Sequence, residues 1–268
     1  MLKITDLQKT FNPGTVNAKT ALNGFDLHIA DGDFVTVIGG NGAGKSTLLN
    51  AIAGVWKPDF GKIEIDGVDV TGMPEHKRAK YLGRVFQDPM KGTAPDMEIA
   101  ENLSIAARRG TKRKLIWGCT RKDREEYKKL LEQLDLGLES RLSSKVGLLS
   151  GGQRQAITLL MATLQKPKIL LLDEHTAALD PKTASKVLSL TNKLVSENRL
   201  TTLMITHNMH DAIAYGNRLI MMHEGRVVVD VSGEEKKKLT IEQLLGLFAA
   251  ASGSQFSDDK VMLSTQSE

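Results

Sequence analysis

Residues Gly39, Gly40, Asn41, Gly42, Ala43, Gly44, Lys45, Ser46 and Thr47 fit the pattern G-x-x-x-x-G-K-[ST]. Glycines at this spacing let a backbone curl until successive N–H groups converge on phosphate oxygens. Lys45 then bridges the terminal phosphates, and the Ser46 hydroxyl ligates Mg²⁺. An acidic pair, Asp173 and Glu174, closes the apolar run KILLLDE. A buried strand ending this way at the carboxyl edge of a sheet sets Asp173 to hold the Mg²⁺ shell and Glu174 to orient or deprotonate a water. A third stretch, LLSGGQRQ, puts Ser150, Gly151, Gly152 and Gln153 directly before a helical run, where free N–H groups and a positive helix end face an anion. The phosphate loop by itself does not separate a kinase from a GTPase or an ATPase.

Each of these groups needs a particular element beneath it. FVTVIGG is a short β-branched run ending in glycine, and GKSTLLNAIAG has helical spacing at Leu48, Leu49, Ile52 and Ala53, so the loop has the strand and helix that it requires. Residues 2–8 and 25–30 alternate as half-buried strands, and GKIEIDGVDV predicts a hairpin turning at Asp66 and Gly67. From about 96 to 165 the pattern is helical, which predicts an inserted helical subdomain. After it, strand and helix alternate again, with apolar runs suited to parallel strands covered on both faces. The predicted fold is therefore α/β: a P-loop NTPase core with a parallel sheet, an N-terminal antiparallel β subdomain and an inserted α-helical subdomain. The expected domain spans 1–251, and the polar, serine-rich 252–268 is expected to be a flexible tail.

The 268 residues are 41% hydrophobic, enough for a substantial core. No apolar run approaches the roughly 18 to 20 residues that cross a bilayer. The start, MLKITDLQKTF, alternates like a strand and lacks the layout of a secretory signal, so a cytoplasmic location is expected. The single cysteine, Cys119, leaves neither an internal disulfide nor a thiol cluster for zinc. The net charge is +4, but residues 108–129 hold ten Lys or Arg against three acids. That is either a solvated helical surface or one that faces anionic lipid or an acidic partner. With only Trp117 and Tyr127 interleaved there, no nucleic-acid partner is expected. His207 and His210 have the i, i+3 spacing of a metal pair without an evident third ligand. Met204, Met209, Met221 and Met222 read as core filler.

The ordered set GGNGAGKST, VFQDP, LLSGGQRQ, ILLLDEHTAALDP and MITH resembles the nucleotide-binding domain of ATP-binding cassette ATPases, from about Leu2 to residue 245. That resemblance implies ATP and Mg²⁺ as cofactors and hydrolysis as the activity. It further implies that Gln87 senses the γ-phosphate and metal, that His207 contacts the γ-phosphate, and that Phe11 lies on the adenine ring. Ser150, Gly151, Gly152 and Gln153 become the signature turn, and Asp180 crosses a dimer interface. In such a dimer the turn of one chain caps the ATP held by the other, which explains a second anion site in one domain.

The resemblance also implies partners: a homodimer or a heterodimer with a second cassette ATPase, separate transmembrane permease subunits, and a solute-binding protein. The chain would then be held at the cytoplasmic face of the membrane through protein contacts. The stretch QDPMKGTAPDMEIAENLSIAARR is similar to importer ATPases for small organic solutes, amino acids among them. The rival reading is a soluble cassette ATPase such as the one assisting iron–sulfur cluster assembly. A P-loop kinase or GTPase leaves LSGGQ and the acidic pair unexplained. Three residues depart from the commonest family pattern: His175 where proline is usual, Gly40 where a bulkier residue or proline often sits, and Phe11 for tyrosine. His175 is expected to be a solvent-facing spacer, with an effect on the pH profile of the neighbouring acid as the alternative.

Overall fold

The computed structural model describes residues 1–111 and 118–252. The strands in chain order are β1 (Leu2–Phe11), β2 (Lys19–Ile29), β3 (Phe34–Ile38), β4 (Phe60–Ile65), β5 (Val68–Asp69), β6 (Leu82–Val85), β7 (Ile169–Asp173), β8 (Thr202–Ile205), β9 (Arg218–His223) and β10 (Arg226–Ser232). The helices are α1 (Lys45–Ala53), α2 (Glu75–Arg78), α3 (Ile99–Ala107), α4 (Arg121–Glu132), α5 (Gly151–Thr163), α6 (Pro181–Asn198), α7 (Met209–Ala214), α8 (Gly233–Lys238) and α9 (Ile241–Ser252). The chain divides into two compact units, Met1–Arg78 with Arg199–Glu268, and Ala79–Asn198. Residues 253–268, nearly all of the expected tail, lie outside the described residues, as do 112–117 of the basic segment.

The first unit contains an antiparallel sheet of order β2-β1-β4-β5. Strands β1 and β2 run further than the alternation predicts, from Leu2 to Phe11 and from Lys19 to Ile29, because bulges interrupt the period of two. The β1–β2 register shifts between Ile4 and Leu7, again to Lys9, and again to Thr10. The predicted hairpin is present: Asp66 and Gly67 both have positive φ, 53° and 77°, as a primed two-residue turn demands. The same unit carries strands in the order β10-β9-β3-β8, with β3 parallel to both β8 and β9. All five residues of β3 are buried, and Thr36 is tolerated there because its hydroxyl donates to Ala212 O at 2.8 Å. Ile38, Met209, Ala212, Leu219, Met221, Leu244 and Phe248 form one core cluster, in which α7 and α9 cover β9 and β10.

The second unit pairs β6 and β7 in parallel, Arg84 opposite Leu171 and Val85 opposite Leu172. Its helical part packs Ile99 and Leu103 of α3, Tyr127 and Leu131 of α4 and Ala156, Ile157 and Leu160 of α5 into a single cluster. Helix α4 begins where the sequence supplies a reciprocal cap: Asp123 N donates to the Thr120 hydroxyl at 3.2 Å, and Thr120 N donates to the Asp123 carboxylate at 2.8 Å. Met204, Met209, Met221 and Met222 are buried as expected.

Candidate functional site

In the first unit, β3 delivers the chain into the glycine loop and α1 leaves it. Backbone approach explains two of the glycines. A β-carbon on Gly39, at φ 152°, would collide with the Met222 carbonyl oxygen, and one on Gly44, at φ 100°, with the Ala21 carbonyl oxygen. The loop is also tied from behind, since Gly225 N donates to Ala43 O at 3.0 Å. Lys45 is 5% exposed, and its ammonium curls back to donate to Gly39 O at 2.6 Å and Gly40 O at 3.1 Å. The loop therefore holds its cation in place, with Asn41, Gly42 and Ser46 exposed around it and Ala43 and Thr47 packed more deeply. Helix α1 begins at Gly44 without a side-chain cap and without an acid in its first turn. A helix start of this kind can accommodate an anion.

The far end of α1 is fixed by a residue that the motif does not include. The guanidinium of Arg78, 1% exposed, donates to Ala51 O at 2.6 Å, Ile52 O at 2.9 Å, Met73 O at 2.7 Å and Thr71 O at 3.0 Å. A cation satisfying the last carbonyls of a helix complements its dipole and anchors it. His207 follows β8, which lies parallel beside β3 with Val37 opposite Ile205, so His207 leaves the sheet at the same edge as the glycine loop. The Phe11 ring ends β1, half-buried, and meets Trp56 edge to face with centroids 5.2 Å apart and planes at 81°. The Lys9 ammonium stands 5.6 Å from the Phe11 ring centre.

In the second unit the parallel pairing of β6 with β7 brings Gln87 and the Asp173–Glu174 pair to one edge, since Val85 and Leu172 are in register. Gln87 is exposed. Burial pushes the Asp173 carboxyl upward, opposed by Arg84, whose Nη2 lies 3.4 Å from Asp173 Oδ2. Glu174 has φ 45°, a left-handed conformation that a residue with a β-carbon adopts at some cost. Such strain is kept where the fold over-determines it, and here it turns the chain sharply after the strand.

His175 is not the solvent-facing spacer that its position suggested. It is 2% exposed, and its Nε2 lies 3.0 Å from the Thr191 hydroxyl. That hydroxyl donates to Val187 O at 2.8 Å, so it accepts from His175, which fixes the Nε2–H tautomer. Burial lowers the imidazole pKa to about 4, and the ring is neutral at physiological pH.

The LSGGQ turn caps α5 reciprocally: Gln153 N donates to Ser150 Oγ and Ser150 N donates to Gln153 Oε1, both at 3.3 Å. Ser150 and Gly151 are exposed, and Gly152 is pressed against Thr183 of α6. Asp180, exposed, accepts from Thr183 N at 3.0 Å and caps α6. The turn and Asp180 are thereby neighbours within one unit. Sequence reasoning passed over Arg78, Arg84, Trp56, Thr183 and Gln155. The last is fully buried on α5 and donates to the Phe86 carbonyl at 3.3 Å, next to Gln87. A glutamine on the buried face of a helix was the available signal there.

The glycine loop of the first unit, with a buried lysine at an uncapped helix start, is the strand–loop–helix of a P-loop NTPase, and the second unit contributes a parallel strand that ends in two acids. Residues 22–177 match the family model described as ABC transporter. The chain is 48% identical over 251 residues to the tyrosine transport ATP-binding protein of Clostridioides difficile (strain R20291), covering 94% of this chain and 100% of that one. It is 34% identical over 250 residues to the xylose/arabinose import ATP-binding protein XylG of Sulfolobus acidocaldarius, covering 93% and 95%. Among solved structures, the dimeric post-hydrolysis ATP-binding cassette MJ0796 bound to ADP and Pi matches with a TM-score of 0.74 at 30% identity, over 87% of this chain and 98% of that one. The chain belongs to the ABC transporter family and is an ATP-binding, ATP-hydrolysing subunit of it.

Proposed function

We propose that this chain drives import of a small organic solute, an amino acid with an aromatic side chain foremost, and that it does so from the cytoplasmic face of a membrane. The observation that carries this reading is the 48% identity with a tyrosine transport ATP-binding protein over 94% of this chain and the whole of that one. The transport names of the relatives speak against the iron–sulfur assembly alternative. No helix among the described residues is long and apolar enough to cross a membrane, so separate permease subunits would carry the solute, with a solute-binding protein delivering it.

The domain would span 1–251, with the helical part near 96–165 inserted. In the catalytic reading, the N–H groups from Gly39 to Thr47 cradle the phosphates, Lys45 bridges the terminal ones, and Phe11 stacks on adenine. Ser46, Gln87 and Asp173 would hold Mg²⁺, since a hydroxyl, an amide oxygen and a carboxylate form the hard oxygen donor set that this ion takes. Mg²⁺ when bound offsets the charge of the β- and γ-phosphates. Glu174 accepts a proton from the attacking water, and His207 donates to the γ-phosphate. Ser150 to Gln153 of a second copy or a related cassette, with Asp180 beside them, close the opposite side. The test is uptake of labelled tyrosine by cells carrying this chain with its membrane partners. Uptake abolished by Lys45→Ala supports the reading, and uptake indifferent to that change contradicts it.

A further inference from the structure

Arg84 has no duty in the reading above, yet its position is specific. It lies opposite Leu171 in the β6–β7 ladder, so Asp173, two residues further on, is its diagonal neighbour on the same face of the sheet. The two side chains are only 13% and 18% exposed, and Nη2 meets Oδ2 at 3.4 Å. The guanidinium carbon is 4.5 Å from the Phe86 ring centre, which supports the cation where water is scarce. Lys91 adds further positive field at the same carboxylate. A guanidinium held 3.4 Å from one oxygen of this carboxylate repels a divalent ion brought to the same group and so lowers its affinity.

We propose that Arg84 is an internal cation that competes with a divalent ion for the Asp173 carboxylate, so that this arginine sets the metal affinity of the nucleotide site. The proposal rests on the reading of Asp173 as a metal ligand. It makes Arg84 a positioning residue whose effect has a sign opposite to that of an ordinary supporting contact. An arginine that merely orients Asp173 would strengthen metal binding; a competing one weakens it.

The experiment measures the affinity of the full chain for the non-hydrolysable analogue AMP-PNP by calorimetry, once in EDTA and once in saturating Mg²⁺. The ratio of the two reports the contribution of the metal. Arg84→Met and Arg84→Gln are expected to raise that ratio about tenfold, equivalent to about 1.4 kcal/mol, while affinity in EDTA stays within about twofold. Arg84→Lys, which keeps the charge, is expected to leave the ratio near the wild-type value. Asp173→Asn should bring the ratio close to one, and adding Arg84→Met to it should change nothing more. If Asp173→Asn collapses the ratio but the neutral Arg84 variants lower it or leave it unchanged, the competing-cation role is overturned. If Asp173→Asn leaves the ratio intact, the metal-ligand reading itself falls, and this proposal falls with it. Thermal unfolding midpoints verify that each variant is folded.

Discussion

The γ-methyl of Thr183 occupies the space that a β-carbon on Gly152 would need. The second glycine of the LSGGQ turn is thus dictated by the start of α6, within the same unit, and not only by the nucleotide proposed to meet the turn. Asp180 receives Thr183 N, so one threonine packs the turn and anchors the residue expected at the dimer interface.

Gly152→Ala should therefore destabilise the chain by about 1–3 kcal/mol through overpacking and depress hydrolysis. Removing the methyl with Thr183→Ser should restore both. Since alanine is the better helix former, Gly152→Ala in the Thr183→Ser background is expected to be neutral or stabilising. Thermal unfolding and ATPase rates of the four chains form the cycle. Additive losses would show that the clash is not what excludes alanine.

His175 supplies a test of burial through acid stability. Its folded pKa, about 4, lies below the ordinary imidazole value near 6.5, so the unfolded chain binds the extra proton. The stabilisation is present in full above about pH 6.5 and is lost as pH falls toward 4. The span corresponds to about 3 kcal/mol. His175→Gln should flatten the fall in unfolding midpoint across that window by close to one proton. It should leave the pH profile of hydrolysis unmoved above pH 6.5, where the ring is already neutral. An unchanged acid slope would contradict the buried, neutral imidazole.

Phe11 and Trp56 form an edge-to-face aromatic pair in the first unit. If adenine stacks there, Phe11→Ala should weaken ATP binding about tenfold, within the roughly 1–3 kcal/mol attributed to stacking of one base, and Phe11→Tyr should retain affinity. The chain has two tryptophans, so Trp117→Phe leaves Trp56 as the sole indole reporter. Its emission should change on adding ATP, and in the Phe11→Ala chain the same change should need about tenfold more ATP. Equal affinities with and without the ring would remove Phe11 from the site.

The local features were legible in the sequence. The glycine loop, the Asp66–Gly67 hairpin and the helical runs of α4 and α5 are written in a few consecutive residues, and the structure reproduces them. What was hidden depends on residues far apart in the chain. The burial of His175 comes from Thr191 on α6, and the constraint on Gly152 comes from Thr183. The pairing of Arg84 with Asp173 needs the β6–β7 register. Strand limits were underestimated where bulges broke the alternation of β1 and β2. Arg78 gave no motif because its partners are four backbone carbonyls, which leave no trace in residue types.

The central claim is that ATP is enclosed between the glycine loop of one chain and the LSGGQ turn of another. Sedimentation of Glu174→Gln with MgATP measures this most directly, because loss of the proposed general base is expected to slow turnover by roughly 10²–10⁴-fold and to preserve the bound state. The account predicts an ATP-dependent species of twice the 29.3 kDa chain mass, which reverts to single chains when Ser150→Arg is added, although ATP is still bound. Single chains saturated with ATP at every concentration, in both variants and also in the presence of the membrane partners, would contradict it.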